Sequence, residues 1–333
     1  MFVEAIEAIL TDHCTPATVR AIEEGASCAP LWDALAGAGF LDLFTPEGDG
    51  GAGLGLDEVY PVMVCLGRFA VPAPVAQSIA ARALLAPHGV KVPDGMVTFA
   101  PAIHISVDGR VSCPRVPFGA VADWILAEHD DALLVLDCRS AARISSGVRG
   151  SQCANLSFET IHTMTSIAGA GASLHTFGAA IHAALLVGAM GRVFDLSLQY
   201  GNDRTQFGKS IGKFQVIQHQ LAVMAQHFAA AGIAAELAFT GDSTAPHALA
   251  AAIAKARTSE AVVALAAGAH AVHGAIGVTE EYDLQLYTRR LHEWRMAHGS
   301  EIYWHRMVGE VLLASDNKPV VDFVRHAIPA QSV

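Results

Sequence analysis

The feature that most constrains the fold is an alanine-rich stretch that begins near residue 165 and keeps helical periodicity almost to the end of the chain. It predicts four long helices, at about 175–200, 214–240, 246–274 and 283–312. Apolar side chains recur there every three or four positions, which predicts a core-facing stripe, at Phe214, Ile217, Leu221, Met224 and Phe228. Small residues let helices approach closely, so the stretch predicts a C-terminal four-helix bundle.

Two shorter regions of different character precede this stretch. The N-terminal region is helical in pattern and begins with the amphipathic run MFVEAIEAIL. Between residues 95 and 160, short runs rich in Val, Ile and Thr predict about six strands, and Asp108-Gly109 predicts a hairpin turn. The predicted fold is mostly α with a small β domain. Its parts are an N-terminal α-helical domain (1–92), a β domain (93–162), a helical bundle (163–318) and a tail (319–333).

The composition predicts a surface that is poor in charge. Hydrophobic residues make up 52% of the chain and charged residues only 16%, whereas about 25% charged is usual. We therefore expect oligomer interfaces to cover part of the surface. The net charge of −11 and the lack of any Lys/Arg run argue against nucleic-acid binding. No apolar window of 18 residues is free of charge, Pro or helix-spaced polar groups, so no membrane span is expected.

The cysteines and histidines bear on compartment and metal binding. No C-x-x-C pair occurs, which predicts free buried thiols in a reducing cytoplasm, at Cys14, Cys28, Cys65, Cys113, Cys138 and Cys153. The N-terminus also lacks the basic region of a signal peptide. Sixteen histidines are present, but His270 and His273 share a helix face without a further ligand nearby. A metal site is therefore not expected.

Two glycine patterns imitate nucleotide-binding motifs. The triplet GKS at 208–210 ends like a P-loop, but the first glycine of that motif would fall on Asp203, so a P-loop is not expected. The run GDGGAG at 48–53 imitates a dinucleotide fingerprint. No acidic residue follows between positions 59 and 93 to bind a ribose. This run is interpreted as an interhelical loop.

Three segments in order along the chain resemble the acyl-CoA dehydrogenase family. RTQFG at 204–208, with Gln215 close behind, resembles the family's R-x-x-F-G motif after a long helix. FTPEGDGGAGLGLDEV at 44–59 is similar to its P-E-x-x-G-G-x-G loop, and HGAIGVTEEYDLQLYTRRL at 273–291 is similar to its Gly-rich E-Y segment. The resemblance implies the family's fold, with helical, β and helical domains. It also implies the α,β-desaturation of an acyl-CoA thioester with FAD.

The resemblance implies which residues contact the FAD cofactor. The positions that match the family's contacts are Arg204, Gln206, Phe207, Gln215, Gly274 and Gly277. An arginine supplies a permanently charged fork of N–H donors for a pyrophosphate, and Phe207 supplies an apolar wall. In the family, these segments reach across a dimer interface into the neighbour's flavin site. The alternative, from the residues alone, is that Arg204 pairs with Asp203 or Asp195.

The chain departs from the family where a catalytic base is expected. Counted from Tyr282 without gaps, the family's glutamate position is His298, and a slip of one residue makes it Ala297. The second place used by some members is Gly178. Neither place carries a carboxylate, so no catalytic residue is predicted. The T-E-P-x-x-G-S-D segment that cradles the flavin ring in the family is also missing.

Three hypotheses follow from this mixture. First, the chain is similar to the shorter subunit of heteromeric (α2β2) sterol side-chain dehydrogenases, which donates FAD contacts while a longer homologue carries the glutamate. Second, it is a self-sufficient homo-oligomer with an unusual base, His298 or Glu293. Third, it is a non-enzymatic assembly subunit. The resemblance further implies an acyl-CoA substrate and an electron-transferring flavoprotein as partner.

Overall fold

The regions follow one another in the predicted order. A computed structural model describes residues 2–159, 163–241, 243–315 and 319–327. The N-terminal region contains five α-helices: α1 (Phe2–His13), α2 (Pro16–Glu23), α3 (Ala29–Gly37), α4 (Leu56–Arg68) and α5 (Val75–Leu85). The glycine-rich run at 48–53 lies between α3 and α4, so it is an interhelical connection as interpreted.

The middle region forms eight strands in two sheets, where about six strands were predicted. They are β1 (Val97–Ala100), β2 (His104–Ile105), β3 (Val111–Val116), β4 (Trp124–His129), β5 (Ala132–Asp137), β6 (Ala142–Ser145), β7 (Ala154–Phe158) and β8 (Thr163–Ala168). The strand orders are β1-β4-β5-β8 and β2-β3-β7-β6. Strand β8 pairs with β5, so the β domain continues past the predicted boundary at residue 162. Residues 163–168, predicted as part of the helical bundle, form this strand at the edge of the first sheet.

The two sheets pack face to face. Side chains of β3 and β7 in one sheet and β4 and β5 in the other form one buried cluster that includes Val111, Cys113, Leu156, Ile125, Leu134 and Leu136. The predicted hairpin joins β2 to β3: the Ser106 N–H donates to the Arg110 carbonyl oxygen at 2.9 Å. Gly109 has φ of 81°, the left-handed conformation that glycine favours in such turns.

The C-terminal region contains helices α6 (Gly171–Asp203), α7 (Gln215–Leu237), α8 (Ala248–His273), α9 (Leu284–Met296), α10 (Glu301–Ala314) and α11 (Val320–Ala327). The single helix predicted at 283–312 is wrong, because α9 and α10 are separate. The helix is interrupted around His298 and Gly299, whose φ values are 51° and 95°. A left-handed pair cannot continue an α-helix, and Gly299 supplies the usual helix-ending residue.

Helix α6 is the centre of the bundle. A Cβ on Gly188 would lie 2.0 Å from the Val64 carbonyl oxygen, and one on Gly67 would lie 2.2 Å from that of Leu185. Glycine at both places therefore lets α4 and α6 touch through their backbones.

Two segments of the bundle, Ser173–Asp203 and Ala248–Val278, are long and apolar enough to cross a membrane by length and composition alone. This is a weak indication, because core helices pass the same test and the first is 89% buried over its most apolar window.

The apolar stripe on α7 is only partly a core stripe. Met224 is fully buried, whereas the other four side chains of the stripe are partly buried, and two of these, Leu221 and Phe228, pack against the core. Two further apolar residues of this helix, Val216 and Ile233, are 66% and 73% exposed. Helix α7 is an outer helix, and its apolar surface exceeds what the chain itself covers. The prediction of free, buried thiols is confirmed for all six cysteines.

Candidate functional site

The segment RTQFGKS folds into a short hairpin directly after α6. Strands β9 (Thr205–Gln206) and β10 (Lys209–Ser210) pair in antiparallel fashion around the two-residue turn Phe207-Gly208. Both turn residues have positive φ, 50° and 79°. A two-residue turn of this kind matches the twist of the strands, and the glycine at its second position adopts a positive φ without strain. The glycine thus shapes a hairpin tip and not a phosphate loop.

The side chains of this hairpin face outward. Phe207 stands at the tip and is 92% exposed, which is unusual for so large an apolar side chain. Arg204 is exposed, and within the described ranges it forms no ion pair. One of the carboxylates proposed as its alternative partner, Asp195, binds Arg68 instead, at 2.8 Å. The arginine therefore remains available to an anion from outside the chain.

A groove of about 680 Å³ joins the hairpin to the Gly-rich segment after α8. Arg204, Gln206 and Phe207 line one side, and residues 271–276, including Gly274, line the other. The fold thus brings together four of the six predicted cofactor residues. Gln215 is exposed on the first turn of α7 and does not line the groove.

Gly277 also lies outside the groove. It is buried in the 3-10 helix Gly274–Val278, where a Cβ would come within 3.0 Å of His273 Cβ and 3.1 Å of Leu284 Cδ2. Its small size serves close packing between this turn and α9. Gly274, by contrast, has φ of 63° and open space around the position of a Cβ, so its backbone is accessible from the groove.

Aromatic rings underlie the groove, which the sequence analysis missed. Tyr200 and His273 both line it and stack at 4.6 Å between ring centroids, and Tyr282 packs 5.1 Å from His273. In the sequence, these residues show only as aromatic side chains near the end of α6 and within the E-Y segment. A stacked platform beside exposed Phe207 suits a flat ring system.

The groove is lined by a permanent cation, Arg204, although the net charge of the chain is −11. Lys213 lies nearby but outside the groove, and the Lys209 ammonium is 4.3 Å from the centre of the Phe214 ring. The N-terminus of α7 begins close to Arg204 at Gln215, and the first N–H groups of a helix attract anions. Positive charge, free N–H donors and aromatic walls together fit a dinucleotide cofactor that presents phosphates and a ring.

The two places at which relatives carry a base are in contact with each other. The His298 ring lies on Gly178: a Cβ at Gly178 would be 2.4 Å from the His298 Nδ1 atom. Two positions that the sequence treats as separate alternatives are therefore one place in the fold. The imidazole fills it, and His298 is only 2% exposed.

His298 lies in a row of buried imidazoles. Its ring centroid is 5.1 Å from that of His182 and 6.3 Å from that of His175, one helical turn to either side of Gly178 on α6. Burial is the main cause that holds the pKa of His298 well below its ordinary range and lowers that of His182 to about 3. Nearby Lys255 acts in the same direction. These imidazoles are therefore neutral at pH 7, and His298 is a weak base.

Lys255 is a buried cation that the sequence analysis did not single out. It lies on α8, fully buried, and its Nζ donates to the Arg295 and Gly299 carbonyl oxygens at 2.8 and 3.0 Å. Burial lowers its pKa to about 7. The sequence signal was a lone lysine on the apolar face of an alanine-rich helix, where a solvated lysine is not expected. In the described part of the chain, this cluster offers no metal-binding set.

Glu293, the other proposed base, is already engaged. It lines a cavity of about 240 Å³ together with His298, between the β domain and the end of α9. Its carboxylate binds Arg290 at 3.0 Å and accepts a hydrogen bond from Ser151. Arg290 is itself bound to buried Glu23 at 2.7 Å. Both carboxylate oxygens of Glu293 therefore have partners within the chain, which leaves this side chain poorly placed to act as a base.

Comparison with known proteins identifies the fold and the family. Residues 172–313, most of the helical bundle, match the family described as acyl-CoA dehydrogenase, C-terminal domain. Acyl-CoA dehydrogenase IpdE2 of Mycolicibacterium smegmatis is 32% identical over 304 residues, which cover 87% of this chain and 90% of that protein.

Two solved structures have the same fold along almost the whole chain. The ChsE4-ChsE5 complex from Mycobacterium tuberculosis superimposes with a TM-score of 0.81 at 22% identity, covering 94% of this chain and 96% of that one. A variant of the Tcur3481-Tcur3483 steroid ACAD gives 0.81 at 24% identity, covering 92% and 95%. The chain belongs to the acyl-CoA dehydrogenase family, flavin oxidoreductases that act on CH–CH bonds.

Proposed function

We propose that this chain is the subunit of a heteromeric, FAD-dependent acyl-CoA dehydrogenase that contributes one edge of the FAD site and lacks the catalytic glutamate. Its partner is a longer family member that carries this glutamate. The reaction is the α,β-desaturation of an acyl-CoA thioester in the cytoplasm, with a steroid-derived acyl group. An electron-transferring flavoprotein reoxidises the cofactor.

The observation that carries the proposal is the contrast between an open hairpin and a filled base position. Arg204 is exposed and forms no ion pair among the residues that the structure describes, and Phe207 is 92% exposed, with its ring edge-on to that of Phe214 at 6.3 Å between centroids. The place for a base is occupied by His298 packed on Gly178. A subunit that only donates cofactor contacts needs an exposed hairpin, and it needs no open place for a catalytic base.

The residues of the groove fit FAD as a bound group. Arg204 would donate to the pyrophosphate oxygens, Gln206 would add an amide donor, and Phe207 would cover an apolar ring. The Gly274 backbone would approach from the opposite side. When bound, FAD supplies the two-electron acceptor for the hydride that leaves the β-carbon. This chain's residues hold and shield the group, and they transfer no proton.

The relatives support the subunit arrangement and the substrate class. The related structures include a complex of two named chains, ChsE4 and ChsE5, and a steroid ACAD that carries a double name. The low charge content and the exposed apolar side chains of α7 further support a large protein interface.

Co-production with a longer family member encoded nearby tests the proposal. The purified complex is expected to be yellow, to release FAD on denaturation and to desaturate acyl-CoA. The chain produced alone is expected to carry little flavin and to have poor solubility, because an apolar interface is then exposed. A soluble, yellow and active homo-oligomer of this chain alone would contradict the proposal in favour of the self-sufficient enzyme.

A further inference from the structure

The connection between α9 and α10 is fastened from inside the molecule. Lys255 Nζ binds the carbonyl oxygens of Arg295 and Gly299 and also contacts Ser259 Oγ at 2.8 Å. The Trp304 Nε1–H donates to the His298 carbonyl oxygen at 2.9 Å. Both donors are buried. Three carbonyls on and around His298 are therefore bound to side chains of the core.

The imidazole of His298 is not held in place by hydrogen bonds of its own. Among the residues that the structure describes, neither ring nitrogen has a partner. The backbone at His298 has φ of 51°, a conformation that costs free energy for residues other than glycine. An unbonded ring on a strained residue stays over Gly178 only if the surrounding backbone is held.

We infer that Lys255 is a positioning residue that keeps this connection closed, so that His298 plugs the space over Gly178 where relatives carry a catalytic carboxylate. The two carbonyl oxygens need two N–H donors, which both the ammonium and the neutral amine supply. The plug therefore stays in place across the physiological pH range. It does so whichever partner arrangement holds, so it stands apart from the proposed function.

Chemical modification of histidine in the full-length assembly tests the inference. In the unchanged protein, diethyl pyrocarbonate is expected to modify exposed His305 and to spare His298 and His182. Lys255→Met keeps the length of the side chain and removes the donors. It is expected to raise the modification rate of His298 by about 10- to 100-fold, the factor for losing charged hydrogen bonds, and to leave His182 protected.

Matched variants separate positioning from general loss of stability. Thr258→Val changes a buried polar residue of the same helix. Among the described residues, its hydroxyl bonds only within that helix, to the carbonyls of Ala254 and Lys255, so the variant is expected to leave His298 protected. If Lys255→Met does not accumulate as folded protein, Trp304→Phe removes the bond to the His298 carbonyl and keeps an aromatic ring beside His175. A smaller rise, about threefold or more, is then expected at His298 alone. Equal rises at His298 and His182, or no rise in either variant, would overturn the inference.

Discussion

The groove at the hairpin and the filled pocket at His298 are built in opposite ways. The groove is exposed, carries unpaired positive charge and presents a large aromatic side chain to solvent. At the pocket, the His298 ring fills the place over Gly178, and the titratable groups there are neutral or bonded to carbonyls within the core. The groove can bind a group from outside the chain, whereas the place over Gly178 is already filled by a side chain of the chain itself. The comparison teaches that the proposed cofactor groove does not require an open place for a base.

The largest effect is expected at the groove. Arg204→Ala should weaken FAD binding to the complex by about 2–4 kcal/mol, because a charged donor pair to the pyrophosphate is lost. Arg204→Lys keeps the charge but not the planar fork of donors, so its affinity for FAD should lie between those of the unchanged protein and Arg204→Ala. Lys213→Ala, a nearby exposed cation outside the groove, is the matched control. Titration of the apo-complex with FAD measures all three, and equal affinities would remove the assigned role of Arg204.

The second prediction concerns the tight contact in the filled pocket. Gly178→Ala should lower the free energy of unfolding by about 1–3 kcal/mol, because the new methyl group meets the His298 ring. Gly232→Ala is the same change on a helix with open space and should be neutral or stabilising by up to about 1 kcal/mol. The double variant Gly178→Ala/His298→Gly should recover stability. A Gly178→Ala protein as stable as the Gly232→Ala protein would show that the ring is not packed there.

The third prediction is a dependence of stability on acid. Burial and Lys255 lower the pKa of folded His182 to about 3, whereas an unfolded histidine titrates near 6.5. The unfolded chain therefore takes up the proton first, so stability is full above pH 6.5 and falls as the pH drops towards 3, by about 1.4 kcal/mol per pH unit. The groups that face this ring are His298, Lys255 and the Gly178 carbonyl, which accepts from Nδ1.

Urea unfolding at pH 7 and pH 5.5 measures this loss. His182→Leu should reduce the difference between the two pH values, while His305→Gln, a change at an exposed histidine, should leave it as it is. The same pH dependence in all three proteins would mean that other groups cause the acid sensitivity.

The smallest effect is expected for catalysis at His298. His298→Ala in the complex should change acyl-CoA oxidation by less than about threefold, whereas loss of a general base lowers kcat by about 10²–10⁴-fold. Glu293→Gln should be equally mild, since that carboxylate is bound to Arg290. Rates with an artificial electron acceptor, corrected for flavin content, give the comparison. A large loss with full flavin occupancy would restore the hypothesis of a self-sufficient enzyme.

The sequence predicted local structure and motif residues better than it predicted their surroundings. The order of the domains, the turn at Asp108-Gly109 and four residues of the groove could be read from local patterns, whereas the aromatic rings of Tyr200 and His273 in the groove could not. The break between α9 and α10 was missed, because helical periodicity continues across His298 and only the backbone reveals the left-handed pair. Of the five stripe residues, only Met224 is fully buried. Periodicity shows which face of a helix is apolar and not how completely that face is covered.

What the sequence determined by itself is the chemistry present: an arginine, an aromatic residue and glycines in the family's order, and no carboxylate at either place for a base. What only the tertiary structure decided is where that chemistry meets. Gly178 and His298 are far apart in the chain, and their contact arises from the packing of the α9–α10 connection on α6. The positioning role of Lys255 likewise follows only from the three hydrogen bonds that its Nζ forms in the folded chain. Local patterns record the preferences of short segments, whereas burial and long-range contacts depend on how those segments pack together.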